Sequence, residues 1–394
     1  MKLEETNRQG TLGQIEMPEV IIIGGGVIGC SIAYHLARSG CRDVLVLERN
    51  HIGSGSAEKC AGGIRQQFST EINIRLSMES VKFFEHFEEE TGHPADFHQN
   101  GYLILATTEE ELEGFRQNVA LQRKLGLEVC LLSPQEANEI VPQIDVEDIL
   151  GATYCPKDGY ADPYSVVQGF ASAARRLGVK ICEETEAIGI KVKGGRVRGV
   201  LTRKEEIEAS VVVNAAGPYA AQIGKMVGLH IPIRPSRRHI FVTAPVHEFG
   251  NDMPMVVDFH NGFWFRKEGP ALIFGMRNPD EPEGFDTSVD WGFLPIIAEV
   301  VCHRLPLLED TGIIRGQAGL HEDTPDANAI VGEVSHVAGL YLSCSFSGHG
   351  FMHSPAVGRL MADLILTGKS TPDISSLALE RFEAGAYQEE ECFI

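Results

Sequence analysis

The pattern of apolar and polar positions divides the chain into short strands and longer helices. Val20 to Ile23 is a continuous apolar run suited to a strand buried on both faces, and Val27 to Ser39 repeats its apolar positions with a helical period. Gly40 is placed to cap that helix, and Asp43 to Glu48 predicts a second buried strand. The globular part therefore opens with a strand–helix–strand unit, which is typical of parallel sheets.

Further along the chain, predicted helices and strands continue to alternate. Helical periodicity covers 70–91, 109–125 and 164–177, apolar strand-like runs cover 102–106, 179–182 and 210–214, and Ser133-Pro134 predicts one more helix start. Between Ile231 and Phe274 the apolar positions recur at every second residue, which favours antiparallel strands. Near the C-terminus a strand over 340–345 is followed by Ser354-Pro355, which predicts the start of a helix that continues to about Leu366.

The charge balance excludes one large class of function. The chain has 394 residues and a formal net charge of -21, whereas a surface that binds RNA or DNA needs clustered Lys and Arg. We therefore expect no nucleic-acid partner. The length exceeds that of one ordinary domain and predicts two lobes, or one lobe interrupted by another.

The cysteines and the N-terminus predict a cytoplasmic protein. The nine cysteines are odd in number, scattered and never in a C-x-x-C pair, which indicates free thiols in a reducing compartment and no zinc or iron–sulfur site. The first 18 residues lack the apolar run of a signal peptide. Val20 to Ala37 carries no charge, but its glycines divide it into a strand and a helix, so we expect no membrane span.

The first turn carries a dinucleotide-binding fingerprint. Gly24-Gly25-Gly26-Val27-Ile28-Gly29 fits G-x-G-x-x-G between a predicted strand and a predicted helix, and Glu48 ends the next strand 24 positions after Gly24. The glycines permit a tight turn, close approach of a pyrophosphate and close helix packing, while the helix N-terminus supplies N–H donors. Glu48 can accept hydrogen bonds from both ribose hydroxyls and repels a 2′-phosphate, which disfavours NADP.

Three further segments favour FAD over NAD. A loop rich in Gly and Ser, Gly53 to Gly63, follows Glu48 where a ribityl chain needs close backbone approach, and Asn214-Ala215-Ala216-Gly217 ends a distant buried strand. The third segment is Ser347 to Met352, which precedes the predicted C-terminal helix. A helix N-terminus there would stabilise the negative charge of a reduced flavin pyrimidine. An ordinary helix cap with a spare histidine is the alternative.

Four segments in this order resemble the D-amino-acid-oxidase-like superfamily of FAD-dependent oxidoreductases. They are the fingerprint with Glu48, Gly53 to Phe68, Thr324 to Gly332, and Phe346 to Phe351. The resemblance extends from Pro18 to about Leu366, and within the superfamily it is strongest to sarcosine oxidase beta subunits and the beta subunit of archaeal L-proline dehydrogenase.

The resemblance implies an α/β (α+β) fold in which a Rossmann-like FAD-binding lobe of glutathione-reductase type is interrupted by a substrate lobe with a mostly antiparallel sheet. The expected division is a polar tail over 1–17, FAD-binding lobe over 18–95, 151–228 and 319–394 (the last with the C-terminal tail), and substrate lobe over 96–150 and 229–318.

The fingerprint and the resemblance together give a set of candidate site residues. Expected to bind FAD are Gly24, Gly26, Val27, Ile28, Gly29, Glu48, Arg49, Gly55, Ser56, Cys60, Ala61, Gly62, Ala187, Ala216, Gly217, Gly348, His349, Gly350, Phe351 and Met352. Expected in catalysis are Arg65, His321 and His349, and expected in the substrate pocket are Tyr102, His239, His260, Trp264 and Arg315.

Arg65 matches an arginine that binds the substrate carboxylate in monomeric sarcosine oxidases, where a bidentate pair would fix the orientation of an amino acid. A salt bridge at the surface or to a cofactor phosphate is the alternative. His321 matches a pocket position in the family and could bind the carboxylate or assist amine deprotonation, because the pKa of histidine lies near working pH. A purely structural histidine is the alternative.

Departures from the family pattern limit what the resemblance implies. The covalent flavin-linking cysteine would fall at Gly319, so FAD is expected to be non-covalent, and a histidine for covalent FMN would fall near Ala161 or Asp162. A lysine that contacts the carboxylate is replaced by Met352, and the oxygen-activating lysine would fall near Trp264 or Phe265. A dehydrogenase that passes electrons to a partner protein is therefore favoured over an oxidase.

The expected function is FAD-dependent oxidation of a small amino or imino acid, such as sarcosine, L-proline or a similar N-substituted glycine, to the imine by hydride transfer to flavin N5. Two alternatives stay open. One is a flavin-dependent 2-hydroxy-acid dehydrogenase, and the other is an FAD-bearing electron-relay subunit of a larger complex.

Overall fold

The computed structural model describes residues 18–385 and 387–392, and the predicted polar tail over 1–17 lies outside the described residues. The strands are β1 Val20–Ile23, β2 Val44–Leu47, β3 Gly63–Ile64, β4 Tyr102–Ala106, β5 Cys130–Leu132, β6 Gly151–Cys155, β7 Gly159–Tyr160, β8 Lys180–Cys182, β9 Ala187–Lys193, β10 Arg196–Thr202, β11 Glu206–Glu208, β12 Val211–Asn214, β13 Arg234–Thr243, β14 Met255–Asp258, β15 Phe263–Glu268, β16 Ala271–Gly275, β17 Ile313–Asp323, β18 Ile330–Glu333 and β19 Leu340–Cys344. The α-helices are α1 Val27–Arg38, α2 Glu71–Glu85, α3 Phe87–Thr91, α4 Glu109–Lys124, α5 Pro134–Ile140, α6 Pro163–Arg176, α7 Ala220–Lys225, α8 Leu294–Arg304, α9 Gly350–Thr367 and α10 Arg381–Ala384.

A six-stranded sheet forms the centre of one lobe, in the order β18-β19-β12-β1-β2-β8. Its strands pair in parallel except for β18, which runs antiparallel to β19. Alternate residues of β1 enter different cores. Ile22 packs with the helices α1, α2, α6 and α9, whereas Ile21 and Ile23 pack on the side of α7 and the small sheet β9–β11. Both faces are covered, which explains the continuous apolar run.

An eight-stranded sheet forms the second lobe, in the order β17-β13-β16-β15-β14-β4-β6-β5. Its pairings are antiparallel apart from β14 with β4. The period-two pattern separates its two faces. Leu103 and Leu105 join the core beneath α5 and α8, while Tyr102 and Ile104 belong to a smaller cluster on the other face. The expected α/β class with a mostly antiparallel second sheet is confirmed.

Two helix predictions need correction. The helix expected over 70–91 is divided at His86, whose backbone leaves helical geometry, so α2 ends at Glu85 and α3 begins at Phe87. The helix expected to start at Ser354-Pro355 begins at Gly350, and Pro355 lies inside α9. Proline there leaves the carbonyl of Phe351 without its usual N–H donor, and the Ser354 hydroxyl donates to that carbonyl at 2.8 Å instead.

The expected lobe boundaries stay predictions, although two of them fall close to strand pairings. The boundary between 150 and 151 comes directly before β6, which pairs with β4 in the eight-stranded sheet. The boundary between 318 and 319 falls within β17, which pairs with β13 along its length. Both β6 and the whole of β17 therefore belong to the eight-stranded sheet.

Candidate cofactor and substrate site

A cavity of about 560 Å³ lies between the two large sheets. One wall is formed by the carboxyl ends of β1 and β2, the glycine-rich turn and the start of α9. The opposite wall is formed by the eight-stranded sheet, with Tyr102, Met255, Val257, Trp264 and Gly319 among the lining residues. Crevices at the carboxyl ends of parallel strands are the usual ligand site in such folds.

The glycine-rich turn fits a pyrophosphate. Gly24 has φ +114°, and a side chain there would place Cβ 2.4 Å from the Ala215 carbonyl oxygen. A Cβ at Gly29 would lie 2.0 Å from the carbonyl oxygen of Gly24, so the helix can approach the turn only without a side chain. Helix α1 has neither a side-chain cap nor an acidic residue in its first turn, which leaves its N–H donors for an anionic ligand.

Glu48 lies on the cavity wall at the end of β2. Its carboxylate accepts from the backbone N–H groups of Gly25 and Asn50, each at 2.8 Å. The bond to Gly25 ties the acid to the glycine-rich turn, and each carboxylate oxygen retains acceptor capacity for a ribose hydroxyl. Next to it, the guanidinium of Arg49 lies 3.7 Å from the ring centre of Tyr219, and both residues line the cavity.

A second helix N-terminus borders the other end of the cavity. Helix α9 begins at Gly350 with His349 as its N-cap residue, and it has neither a side-chain cap nor an acid in its first turn. Residues 348–352 all line the cavity. Burial and the nearby Arg65 guanidinium hold the pKa of His349 well below its usual range. The imidazole is therefore neutral, and the positive contributions at this end come from the Arg65 guanidinium and the dipole of α9.

Arg65 is buried, with 3% of its surface exposed, and lies on the cavity wall directly after β3. Its Nη1 donates to the Gln67 carbonyl at 2.7 Å, and its Nη2 lies 3.2 Å from His349 Nε2 and donates to the Cys392 carbonyl. Its guanidinium carbon lies 4.3 Å from the ring centre of Phe68. Because arginine only donates, His349 Nε2 must accept from it, which places the ring proton on Nδ1.

Arg65 differs from the other buried arginines of the described chain. Arg266 pairs with Glu268, Arg304 with Asp148 and Asp258, and Arg381 with Asp326. No carboxylate of the described residues lies within salt-bridge distance of Arg65. A buried charge without a partner of opposite charge is costly, so this position favours an anionic ligand.

His321 lies on β17, where its ring packs against Gly348 at the start of the α9 segment. Burial and the nearby Arg238 lower its pKa to about 4, against the opposing effect of Asp323. The expectation of a pKa near working pH is therefore wrong, and His321 is neutral at pH 7. Its Nδ1 lies 3.9 Å from Asp323 Oδ1, and neither atom has a hydrogen-bond partner among the described residues.

The structure brings most of the predicted site residues to the cavity. The lining includes Gly24, Gly26, Val27, Ile28, Glu48, Arg49, Gly55, Ser56, Cys60, Ala61, Gly62, Arg65, Tyr102, Ala187, Ala216, Gly217, His239, Trp264, His321, Gly348, His349, Gly350, Phe351 and Met352. Gly29 does not line the cavity; it lies behind the glycine-rich turn, where the lack of a side chain lets α1 pack closely against Gly24. The ring of His239 is held by the backbone N–H of Asp290 at 3.0 Å, which is a structural contact.

Two predicted pocket residues lie elsewhere. His260 is exposed, and its Nδ1 lies 2.9 Å from Glu111 Oε1. Arg315 is also exposed. It lies on the same face of β17 as His321 but six residues away, or roughly 20 Å at the rise of a strand. Sequence reasoning could not give these distances, because they depend on where each strand ends relative to the cavity.

Sequence reasoning also missed several residues of the cavity wall. They are Lys59, Tyr219, Arg238, Met276, Arg277, Thr287 and Glu322. Burial and Asp323 raise the pKa of Glu322 to about 8, so it is mostly protonated at pH 7. Tyr219 could have been found from its place just after the Asn214–Pro218 turn. Arg238 and Arg277 lie in no motif, and only strand pairing brings them here.

The thiols, the metal-binding side chains and the helices of the described residues bear on the other expectations. All nine cysteines are free thiols. No group of three or more metal-binding side chains occurs in the described ranges. Over the same residues, no helix combines the length and apolar character needed to cross a bilayer.

Comparison with known proteins agrees with this geometry. Residues 19–364 match the model of the family described as FAD dependent oxidoreductase. The chain is 32% identical over 92% of its length to rat (Rattus norvegicus) mitochondrial dimethylglycine dehydrogenase and 31% identical over 92% to human (Homo sapiens) mitochondrial sarcosine dehydrogenase. It spans only 45% and 41% of those two proteins. It is also 32% identical to bovine (Bos taurus) FAD-dependent oxidoreductase domain-containing protein 1, with 96% of this chain and 87% of that protein covered.

Solved structures show the same fold. The L-proline dehydrogenase of P. horikoshii superposes with a TM-score of 0.89 at 35% identity, and the superposition covers 95% of this chain and 100% of that chain. The glycine oxidase of Geobacillus kaustophilus gives 0.82 at 28% identity, with 92% and 98% covered. The glycine-rich turn, the Glu48 carboxylate at the end of β2 and the two uncapped helix N-termini fit FAD, which is the cofactor. The chain belongs to the family of FAD-dependent oxidoreductases.

Proposed function

We propose that this protein oxidises a small amino or imino acid, such as sarcosine, L-proline or a similar N-substituted glycine, to the imine. The names of its relatives, dimethylglycine dehydrogenase, sarcosine dehydrogenase and L-proline dehydrogenase, support a substrate with a C–N bond next to a carboxylate. The proposal rests on one observation above all, the buried Arg65 guanidinium on the cavity wall with no carboxylate partner among the described residues.

The free donors of Arg65 define how a substrate carboxylate would bind. Three of its N–H groups already have partners in Gln67, Cys392 and His349, which leaves one on Nε and one on Nη1. These two donors do not form one fork of the guanidinium. The carboxylate is therefore held by charge and a single hydrogen bond, rather than by the bidentate pair that the sequence suggested.

The remaining wall supplies orientation and a dry environment. Tyr102, Met255, Val257 and Trp264 present largely apolar surface from the eight-stranded sheet. The carboxylate of Asp323 favours the Nδ1–H tautomer of His321, which leaves Nε2 to accept a hydrogen bond from the substrate amine. FAD, held by the glycine-rich turn, Glu48 and the start of α9, would supply the acceptor for a hydride from the carbon next to nitrogen. The amine proton would leave to solvent, and water would hydrolyse the released imine. Positioning and water exclusion are the contribution of this chain.

Non-covalent FAD belongs to the same proposal. Gly319 has no side chain to form a link, and a Cβ there would lie 2.6 Å from Lys59 Cβ, so the space is already filled. The Lys59 ammonium lies 3.4 Å from Glu58 Oε1 at the surface. Acid precipitation should release all flavin into the supernatant, and flavin retained on the protein pellet would refute non-covalent binding.

A partner protein rather than oxygen is proposed as the electron acceptor. The resemblance places an oxygen-activating lysine near Trp264 or Phe265, neither of which carries a charge, and of the two Trp264 lines the cavity. After anaerobic reduction, reoxidation by air should be slow compared with reoxidation by an artificial electron-accepting dye. Equally fast reoxidation by air would make the protein an oxidase.

The central test is anaerobic bleaching of the flavin by L-proline, sarcosine and N,N-dimethylglycine, with lactate and 2-hydroxyglutarate as the hydroxy-acid comparators. Bleaching by an amine, and not by the hydroxy acids, is expected. Arg65→Ala should raise the substrate concentration for half-maximal reduction by about 10- to 150-fold, because a hydrogen bond between charged groups contributes about 1.5–3 kcal/mol. The FAD content should not change.

Arg315→Ala is the matched control, since Arg315 is an exposed arginine of the same sheet outside the cavity. It should leave the half-maximal concentration as in the wild type. Bleaching by hydroxy acids alone would replace the proposed reaction, and an Arg65→Ala variant with unaltered substrate dependence would remove Arg65 from it. Loss of FAD from Arg65→Ala would assign the arginine to the cofactor instead.

A further inference from the structure

The C-terminal segment of residues 387–392 returns to the cavity region and anchors there through a buried carboxylate. Glu390 is 3% exposed. Its carboxylate accepts from Ser69 N and Oγ, each at 2.7 Å, from Thr70 N and Oγ1 at 3.1 and 2.7 Å, and from Asn73 Nδ2 at 2.9 Å. The backbone N–H of Cys392 donates to it at 3.0 Å. Six hydrogen bonds on one buried carboxylate fix this segment firmly against the start of α2.

Glu390 takes the place of a local helix cap. Thr70 is the N-cap residue of α2, but its hydroxyl does not accept from the first turn; it donates to Glu390 instead. An acid 320 positions away in sequence therefore accepts from the backbone N–H of the N-cap residue and complements the helix dipole.

A second buried carboxylate holds the same stretch of chain from the other side. Asp158, with no exposed surface, accepts from the backbone N–H of Gln66 at 2.9 Å and from the side-chain amides of Gln66 and Gln67, each at 3.0 Å. Residues 66–70 are thus fixed at both ends. Arg65 directly precedes them.

The contacts of Arg65 come largely from these anchored segments. Gln67 accepts from Nη1, the ring of Phe68 lies against the guanidinium, and the carbonyl of Cys392 accepts from Nη2. Phe68 also contacts the ring of His349 edge-on, with centroids 4.9 Å apart. The orientation of the guanidinium toward the cavity is therefore set by residues 66–70 and 387–392 together.

We infer that Glu390 is a positioning residue for Arg65, and that Glu390 and the Cys392 carbonyl together complete the substrate-carboxylate site. Glu390 acts through Ser69, Thr70 and the Cys392 carbonyl, and it does not touch the substrate. Without it, the Cys392 carbonyl leaves Nη2 and the long arginine side chain regains alternative rotamers, which weakens its hold on a carboxylate. The inference rests on the proposed function, because it assumes that Arg65 binds the substrate carboxylate.

The test is a binding measurement that involves no turnover. Methoxyacetate has the shape and carboxylate of sarcosine but no amine to oxidise, and 2-methoxyethanol lacks the carboxylate. Each is titrated into the FAD-loaded full chain, and the change in flavin absorbance gives its Kd. The ratio of the two Kd values reports recognition of the carboxylate and is insensitive to a general loss of folded protein.

Glu390→Gln should lower the preference for methoxyacetate about tenfold, through the loss of charge-assisted hydrogen bonds, with the FAD content unchanged. Glu390→Asp should recover part of it. Glu391→Gln is the matched control, because Glu391 is exposed on the same segment and the substitution removes the same charge; it should behave as the wild type.

Arg65→Ala separates the two levels of the proposal. If Arg65→Ala abolishes the preference and Glu390→Gln leaves it intact, the positioning role is wrong and the proposed function survives. If Arg65→Ala itself leaves the preference intact, the carboxylate site is elsewhere and both fall. If Glu390→Gln does not fold, Glu390→Asp is compared with Glu391→Gln instead. A preference for methoxyacetate that is the same in these two variants overturns the positioning role.

Discussion

At the scale of single residues, the site depends on one half-buried carboxylate, Glu48, and on three buried charged groups, Arg65, Asp158 and Glu390. Glu48 ties the glycine-rich turn to the end of β2, Asp158 and Glu390 hold the segment after Arg65, and Arg65 lines the cavity. Each carboxylate accepts several N–H or O–H groups, which offsets the cost of its burial. The cavity is thus built by charged groups that mostly do not touch a substrate.

Burial of Asp158 makes the free energy of unfolding fall as the pH rises. Burial raises its pKa to about 6, against the opposing hydrogen bonds of Gln67 and Gln66. Because the pKa in the folded state lies above the ordinary value, its stabilising contribution is greatest at low pH and is lost as the pH rises through 6. From pH 4.5 to 7.5 the free energy of unfolding should fall by about 2 kcal/mol relative to Asp158→Asn.

Urea unfolding of both proteins at several pH values measures this difference. The comparison with Asp158→Asn removes the titrations that the two chains share. A difference that stays constant across the range, or one that grows with pH, would show that Asp158 does not titrate as its burial implies.

At the scale of elements, the two helices that begin at the cavity also pack on each other. The Ser31 hydroxyl of α1 donates to the Ser354 carbonyl of α9 at 2.7 Å, one residue before Pro355. Pro355 and Gly358 therefore lie where the helices are closest. The contact fixes the relative positions of two helix N-termini that border opposite ends of the cavity, and so links helix packing to the cofactor site.

Gly358→Ala should destabilise the fold. A Cβ there would lie 2.1 Å from Ser31 Oγ and 2.9 Å from both the Ser31 backbone carbon and His35 Cδ2, so the helices must separate. Overpacking of this kind costs about 1–3 kcal/mol. Gly114→Ala in α4 is the control: nothing lies within 4 Å of its added Cβ, and it should stabilise by about 1 kcal/mol. Chemical denaturation measures both, and a Gly358→Ala variant as stable as the wild type would contradict the close contact.

At the scale of the whole molecule, the cofactor site lies between the two large sheets. Residues from β1, β2, β13, β14 and β17 all line one cavity. A ligand that spans it contacts both lobes and binds only the folded chain. The formal net charge of the chain is -21, yet positive groups, including Arg49, Lys59 and Arg65, line this cavity. These groups favour an anionic cofactor and substrate.

FAD should therefore stabilise the flavin-free protein. At a free concentration 100 times its Kd, the gain is about 2.7 kcal/mol, seen as a rise in Tm. NADP is the control: if Glu48 accepts from the adenosine ribose hydroxyls, as its place in the fingerprint predicts, its charge repels the 2′-phosphate and no comparable rise is expected. A rise in Tm with NADP as large as that with FAD would contradict the role given to Glu48.

Local sequence determined the nucleotide half of the site. The spacing from Gly24 to Gly29 and the acid at Glu48 belong to one strand–helix–strand unit, whose geometry follows from steric exclusion at the glycines and from the helix dipole. Local rules failed where a competing contact was present. The Ser354-Pro355 pair obeys the rule for a helix start, yet α9 begins at Gly350 because the Ser354 hydroxyl satisfies the carbonyl that Pro355 leaves open.

Only the tertiary structure decided the cavity wall that faces the glycine-rich turn. His260 and Arg315 have suitable chemistry but end at the surface, whereas Arg238 and Arg277, in no motif, line the cavity. Arg65 was found from its motif, but its partner Cys392 is 327 positions away. A sequence pattern reports periodicity and local steric limits, which fix turns and helix starts. The partner of a buried charge depends on which distant segments meet, and that is settled only when the two sheets and the C-terminal segment pack together.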